Sequence, residues 1–238
     1  MLKYPKIETL YDRDSAFRVT STVRKQEFLN VREWTISEKI DGTNVRIGLT
    51  PEGGVTYGGR TDNAMISRPL AEYFERTFAP EVVRGAFSAN EETGLYPDVT
   101  IFGEGYGPKI NNGGNYRKDV AVRIFDVVAS GYWLSRWNVD DIARKLGVNT
   151  VPEIGKIQRL PVTEEDLRNL LESSIVARDE SGIQHIPEGI VARPDPMMFT
   201  MGHGGVHPIM WKLKLKDFRG GRSTTKRAAR ATELGLEM

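Results

Sequence analysis

Cysteine is absent from the 238 residues. That excludes a disulfide framework, thiolate metal ligands and a cysteine nucleophile. No apolar run is long enough to cross a bilayer, and no basic-then-apolar leader opens the sequence. A soluble, cytoplasmic protein is the expectation. Net charge is scarce too: 33 Lys and Arg against 32 Asp and Glu leave +1. No global field marks a nucleic-acid partner, so any basic surface must be local. Histidine occurs three times. His203 and His207 stand four apart, but Gly204, Gly205 and Pro208 in "HGGVHP" oppose the helix that would align them. A polar loop is expected there rather than a zinc site, and His185 has no companion. The phosphate loop G-x-x-x-x-G-K-[ST] is missing, and "GEGYG" at 103–107 does not fit G-x-G-x-x-G. A nucleotide, if bound, is held another way.

What remains is enough for one substantial core, since 39% of residues are hydrophobic. β-branched or alternating runs bounded by turn residues predict strands over 34–39, 45–49, 99–104, 120–128, 189–193 and 209–215. Three helices are expected. Ser67 caps the first, with Pro69 in its first turn and Leu70, Tyr73, Phe74 and Phe78 on one face. Asn138 caps the second, with Asp140 and Asp141 near its positive end and Gly147 stopping it. Thr163 caps the third, which runs through Leu167, Leu170 and Leu171. The last two read as a helical insertion near 138–182. "YGPKINNGGNYRKD", residues 106–119, has the glycine and asparagine content of a loop. Strands with interspersed helices and no βαβ alternation give an α+β class. Residues 1–218 form one unit. Residues 219–238 form a short tail carrying Arg219, Arg222, Lys226, Arg227 and Arg230.

Chemistry concentrates in a series of islands. "SEKIDGTNVRIG" puts Lys39 before a turn. A lysine attacks only as the free amine, so a nucleophilic lysine needs burial or neighbouring cations to lower its pKa. Alone, the motif reads first as a solvated hairpin end. "YGGRTDN" places Arg60 after a glycine turn. "TIFGEGYG" runs a buried-looking strand into Glu104, and "RIFDV" sets Phe125 beside Asp126. "PEGIVARP" opens a strand at Glu188. "IMWKLKLKDF" alternates Lys212, Lys214 and Lys216 on one strand face against Trp211, Leu213 and Leu215 on the other. Each has a plain structural reading: a surface arginine, strand-end carboxylates, a core phenylalanine, a lysine-protected edge. Their shared order is harder to assign to chance.

That order resembles the motif series of the covalent nucleotidyltransferases, which include ATP-dependent RNA and DNA ligases and messenger-RNA capping guanylyltransferases. Within them, "EKIDGTN", "IFGEGYG" and "WKLKLKDF" look most like the RNA ligases of the phage type-two and RNA-editing group. The likeness runs from about Glu38 to Phe218 and is close only in the islands.

The resemblance implies a nucleotidyltransferase (ATP-grasp-like) domain: two mainly antiparallel sheets, helices outside, the nucleotide between. It implies ATP and Mg²⁺ as cofactors, with Mn²⁺ as an alternative. Lys39 would be the adenylated nucleophile, its pKa lowered by Lys212 and Lys214, which would also hold the α-phosphate. Arg60 would contact phosphate or ribose, and Asn44 would position the phosphates. Glu104 would take the ribose hydroxyl or a metal-bound water. Phe125 would stack on adenine, and Glu38 would read its edge. Asp41 and Glu188, with Glu104, would hold the metal through its waters. The implied partner is RNA, or DNA, with 5′-phosphate and 3′-hydroxyl ends, as in RNA repair, and a monomer is favoured. Residues 219–238 are too few for an OB-fold domain. The basic tail is a candidate phosphate contact or a solvated end. A minimal DNA ligase, a capping-type guanylyltransferase and a non-catalytic nucleic-acid-binding relative are the alternatives.

Overall fold

The computed structural model describes residues 1–111, 116–172, 187–202 and 205–219. The first strands are β1 (Glu8–Thr9), β2 (Tyr11–Arg13), β3 (Val19–Val23), β4 (Trp34–Lys39), β5 (Thr43–Leu49) and β6 (Val55–Gly59). Then come β7 (Val99–Tyr106), β8 (Ala121–Ala129), β9 (Tyr132–Trp133), β10 (Asn149–Thr150) and β11 (Glu153–Ile157). The last are β12 (Gly189–Arg193), β13 (Phe199–Gly202), β14 (Gly205–Pro208) and β15 (Trp211–Lys214). Helices α1 (Glu27–Asn30), α2 (Arg68–Thr77), α3 (Pro80–Gly85), α4 (Arg136–Lys145) and α5 (Glu164–Leu171) intervene, and a short helix Leu215–Arg219 follows β15.

Two large, mainly antiparallel sheets result, as expected of the α+β class, with two further strand pairs, β2-β3 and β13-β14. The first is ordered β1-β15-β12-β4-β11, with β1 parallel to β15. The second is ordered β10-β8-β7-β5-β6, with β9 beside β8 and β10 parallel to it. Each sheet has its own core. Trp34, Ile36, Ile190, Trp211 and Leu213 of the first pack with Phe28, Leu167 and Leu171. Trp34 and Trp211 meet edge-on, centroids 5.5 Å apart, a contact worth about 1 kcal/mol beyond area burial. Val45, Ile47, Ile101 and Ile124 of the second pack under Leu70 and Phe74 of α2 and Val139 and Ile142 of α4. Helices therefore back each sheet, and the remaining faces meet across a cleft.

The chain crosses between the sheets twice at one place. Residues 40–42 join β4 to β5, and residues 151–152 join β10 to β11. The Glu38 N–H donates to the Pro152 carbonyl at 3.1 Å, and Ile40 and Val151 share a small cluster with Tyr106, Tyr116 and Ala121. No helix among the described residues is long and apolar enough to span a membrane.

Several expectations shift. Strands 34–39 and 189–193 stand as read. The second helix starts after Ser135, not Asn138. Arg136 draws the start forward: it bonds Asp140 at 2.8 Å, one turn on, and Thr150 Oγ1 at 2.7 Å. Gly147, at φ +70°, ends it as expected. Thr163 caps α5 through a box with Asp166. The strand expected over 209–215 stops at Lys214, where the Asp217 carboxylate accepts the Lys214 N–H at 3.0 Å and turns the chain into the last helix. Lys216 therefore leaves the strand face. Between β8 and β12 the helices alternate with β9, β10 and β11, which join both sheets, so the stretch is woven into the core rather than set apart. His207 lies in β14 rather than a loop. His185, His203, Arg222, Lys226, Arg227 and Arg230 fall outside the described residues.

Candidate active site

Lys39 is the last residue of β4, where the chain leaves one sheet for the other. The turn is tight enough to need glycine. A Cβ on Gly42 would sit 2.3 Å from the Gly105 carbonyl oxygen. Gly189 is as constrained: it lies opposite both Lys39 and Lys214, and its Cβ would meet the Leu213 carbonyl at 2.1 Å. This close packing sets Glu188, one residue earlier, between the two lysines. Glu188 Oε2 accepts from Lys39 Nζ at 2.7 Å, and Oε1 accepts from Lys214 Nζ. Lys216 Nζ still reaches Oε1, at 3.7 Å.

The charges around this point are coupled. Burial favours the free amine of Lys39, but Glu188, Glu104 and Asp41 outweigh it and hold the ammonium above its ordinary range. The expected lowering by Lys212 and Lys214 is thus reversed, because carboxylates face Nζ more closely than cations do. The lowered lysine is Lys212. Burial, then Lys214, Lys39 and Arg60, push it down to about 8. Glu104 is pushed up to about 7, first by burial and also by Glu188 and Asp41, against the pull of Lys39 and the Gly42 N–H. Burial, more than the neighbouring carboxylates, makes Glu104 resist ionisation beside Glu188 and Asp41. Among the described residues no three His, Asp or Glu side chains converge closely enough to grip a metal directly. A hydrated ion held through water fits this donor set.

From Lys39 a cleft of about 660 Å³, open mouth included, runs between the sheets. Glu38, Asn44, Glu104 and Phe125 line it with Lys39, over apolar walls from Ile40, Val151 and Val191. Asn44 Oδ1 is buried with no hydrogen-bond partner among the described residues. Glu188, Lys212, Lys214, Arg60 and Asp41 stand outside the lining, around the Lys39 end. The far end holds residues that the sequence reading assigned no role. Arg193 pairs with Asp126 Oδ1, and the Tyr4 hydroxyl donates to Asp126 Oδ2 at 2.5 Å. Tyr4 also meets Phe125 edge-on at 4.9 Å. Arg193 was reachable, since Gly189, Val191 and Arg193 share a strand face. Tyr4 was not: 122 residues separate it from Asp126. Its strand-free segment is held by the Leu2 N–H to Thr100 Oγ1 and by Arg46 to the Leu2 carbonyl, both at 3.2 Å.

A model of the RNA ligase family matches residues 32–212, well over half of the chain. This chain belongs to the RNA ligase family. No curated protein matches it by sequence. Among solved structures this family member is similar to Naegleria gruberi RNA ligase. A mutant of that ligase with ATP and Mn is 14% identical, with a TM-score of 0.54 over 90% of this chain and 61% of that one. The same ligase with PPi is 14% identical, with a TM-score of 0.52 over 89% and 61%. A mutant with AMP and Mn is 12% identical, with a TM-score of 0.51 over 90% and 64%. At these identities the likeness carries the fold. This RNA ligase family member thus spans 61–64% of the length of those structures.

Proposed function

We propose that this chain is an ATP-dependent RNA ligase that joins 5′-phosphate to 3′-hydroxyl ends through a lysyl-AMP intermediate. One observation carries this reading: Lys39 stands at the mouth of an apolar-walled cleft, within a shared lysine–glutamate network at the crossing of the two sheets. Lys39 Nζ attacks the α-phosphorus of ATP, a P–N bond forms, and pyrophosphate leaves. An oxygen of the RNA 5′-phosphate then displaces the lysine and takes the AMP. The 3′-hydroxyl finally attacks that 5′-phosphate and AMP leaves. The residues have the following parts. Phe125 stacks on adenine from the cleft wall, with Glu38 at its edge. Asn44, Lys212, Lys214 and Arg60 neutralise and position phosphate oxygens. Glu104 reaches the ribose. Attack needs the free amine, so the Lys39 proton must leave.

The Naegleria gruberi structures with ATP and Mn and with AMP and Mn support ATP and a divalent cation as cofactors. Asp41, Glu104 and Glu188 would hold Mg²⁺ or Mn²⁺ through water, where it supplies positive charge against the phosphates. Incubation with α-labelled ATP and magnesium tests the reading. A covalent, acid-labile AMP adduct forms in the wild type and is lost in Lys39→Ala. Absence of label, or label undiminished by the substitution, overturns it. Sealing assays with all-RNA and all-DNA ends then decide between the RNA ligase and a minimal DNA ligase.

A further inference from the structure

A second cavity lies on the other side of Asn44. It encloses about 600 Å³, open rim included. Thr43 and Asn44 form one wall, Leu70 of α2 another, and Lys109 with Asn111 a third. Met65 stands at the rim, 98% exposed. Asn44 lines this cavity and the cleft alike, so the two meet at this residue. The third wall is fastened to the nucleophile's turn. Asn111 Nδ2 donates to the Gly42 carbonyl, and Lys109 and Asn111 both keep left-handed backbone, at φ +66° and +48°. Lys109 is exposed, and among the described residues no carboxylate pairs with it.

We propose that this second cavity seats the 5′-phosphorylated end of the RNA strand that receives AMP. The assignment rests on Lys39 being the lysyl-AMP nucleophile. A strand end placed here lies beside the cleft that holds the adenylate, with Asn44 common to both. Met65 offers apolar surface to the terminal nucleoside, and Lys109 offers an unspent charge to its phosphate. In the step concerned, a 5′-phosphate oxygen bonds to the adenylate phosphorus as the P–N bond to Lys39 breaks. Lys39 departs as an amine and is reprotonated from solvent.

The two half-reactions separate the outcomes. Lys109→Glu, Lys109→Ala and Met65→Glu proteins are first labelled with α-labelled ATP. Transfer of AMP to a 5′-phosphorylated RNA oligonucleotide is then followed in a single turnover. Labelling should stay within about twofold of wild type, because neither Lys109 nor Met65 lines the cleft. Transfer should slow at least about tenfold in Lys109→Glu, less in Lys109→Ala, and recover in Lys109→Arg, as for a phosphate contact. Wild-type transfer in both Lys109→Glu and Met65→Glu, or equal slowing of both half-reactions, overturns the assignment. A wild-type protein that takes no label overturns the nucleophile reading along with it.

Discussion

The two ends of the cleft are both charged, and they handle charge in opposite ways. At the Arg193 end the account is closed: one guanidinium, one carboxylate and one phenol satisfy each other at depth. Burial raises Asp126 despite its partners, and Arg193 is held above its usual range by Asp126 against burial. Nothing there is left over. At the Lys39 end no pairing is exclusive. Glu188 serves Lys39, Lys214 and, more distantly, Lys216, while Glu104 resists ionisation and Lys212 resists protonation. A closed set gives shape. An open, mutually strained set is poised to accept a polyphosphate and a cation together. The prediction is that lesions at the first end cost stability and lesions at the second cost activity.

The largest effect should come where the ends share a strand. Gly189→Ala drives a Cβ into the Leu213 carbonyl and spreads β12 from β15. It should cost about 3 kcal/mol or more by denaturant melting and abolish AMP labelling, because Lys39 and Lys214 lose their common neighbour. Normal labelling would show that the network tolerates a looser sheet. Next is Lys214→Ala, which leaves Glu188 paired with Lys39. Labelling should fall roughly 100-fold with an unchanged melting curve. A comparable loss of stability would erase the contrast between the ends. Asp126→Asn is the mirror case. It strands the Arg193 charge and should cost about 3 kcal/mol in urea unfolding, a stability loss that precedes any loss of labelling. Unaltered stability would mean that the Arg193 end is open too.

The smallest effect lies away from the cleft and calibrates the others. Glu164 bonds Arg168 and Arg219, tying α5 to the last helix, and these partners hold its carboxyl at about 2. A carboxylate lowered on folding stabilises above its ordinary pKa, and that contribution fades as pH falls from about 4.5 toward 2. Wild type should therefore melt slightly above Glu164→Gln near neutral pH, and the gap should close with acid. A gap independent of pH would assign the effect to packing.

How much of this was legible follows from the range of each interaction. Strands Trp34–Lys39 and Gly189–Arg193 were readable because their apolar runs are bounded by turn residues on the chain itself. Thr163 was readable because its capping partner lies three residues on. The end of β15 was not: "WKLKLK" keeps its alternation, and Asp217 overrides it through one hydrogen bond to the Lys214 N–H. The motif islands named candidate residues, and the structure sets half of them in the wall of one cleft and the rest around its Lys39 end. It does not reproduce their electrostatics, because the pKa of Lys39 depends on which charges face Nζ in space. Tyr4 had no local signal at all.

The two crossings, 40–42 and 151–152, lie side by side and are laced by the Glu38–Pro152 hydrogen bond. Mechanically they are the pin of a two-leaved hinge, and Lys39 sits against the pin. Points on a hinge move in proportion to their distance from it. A change in the angle between the leaves would therefore carry the far rims of the cleft much farther than Nζ. The nucleophile would keep its aim while the entrance changes width.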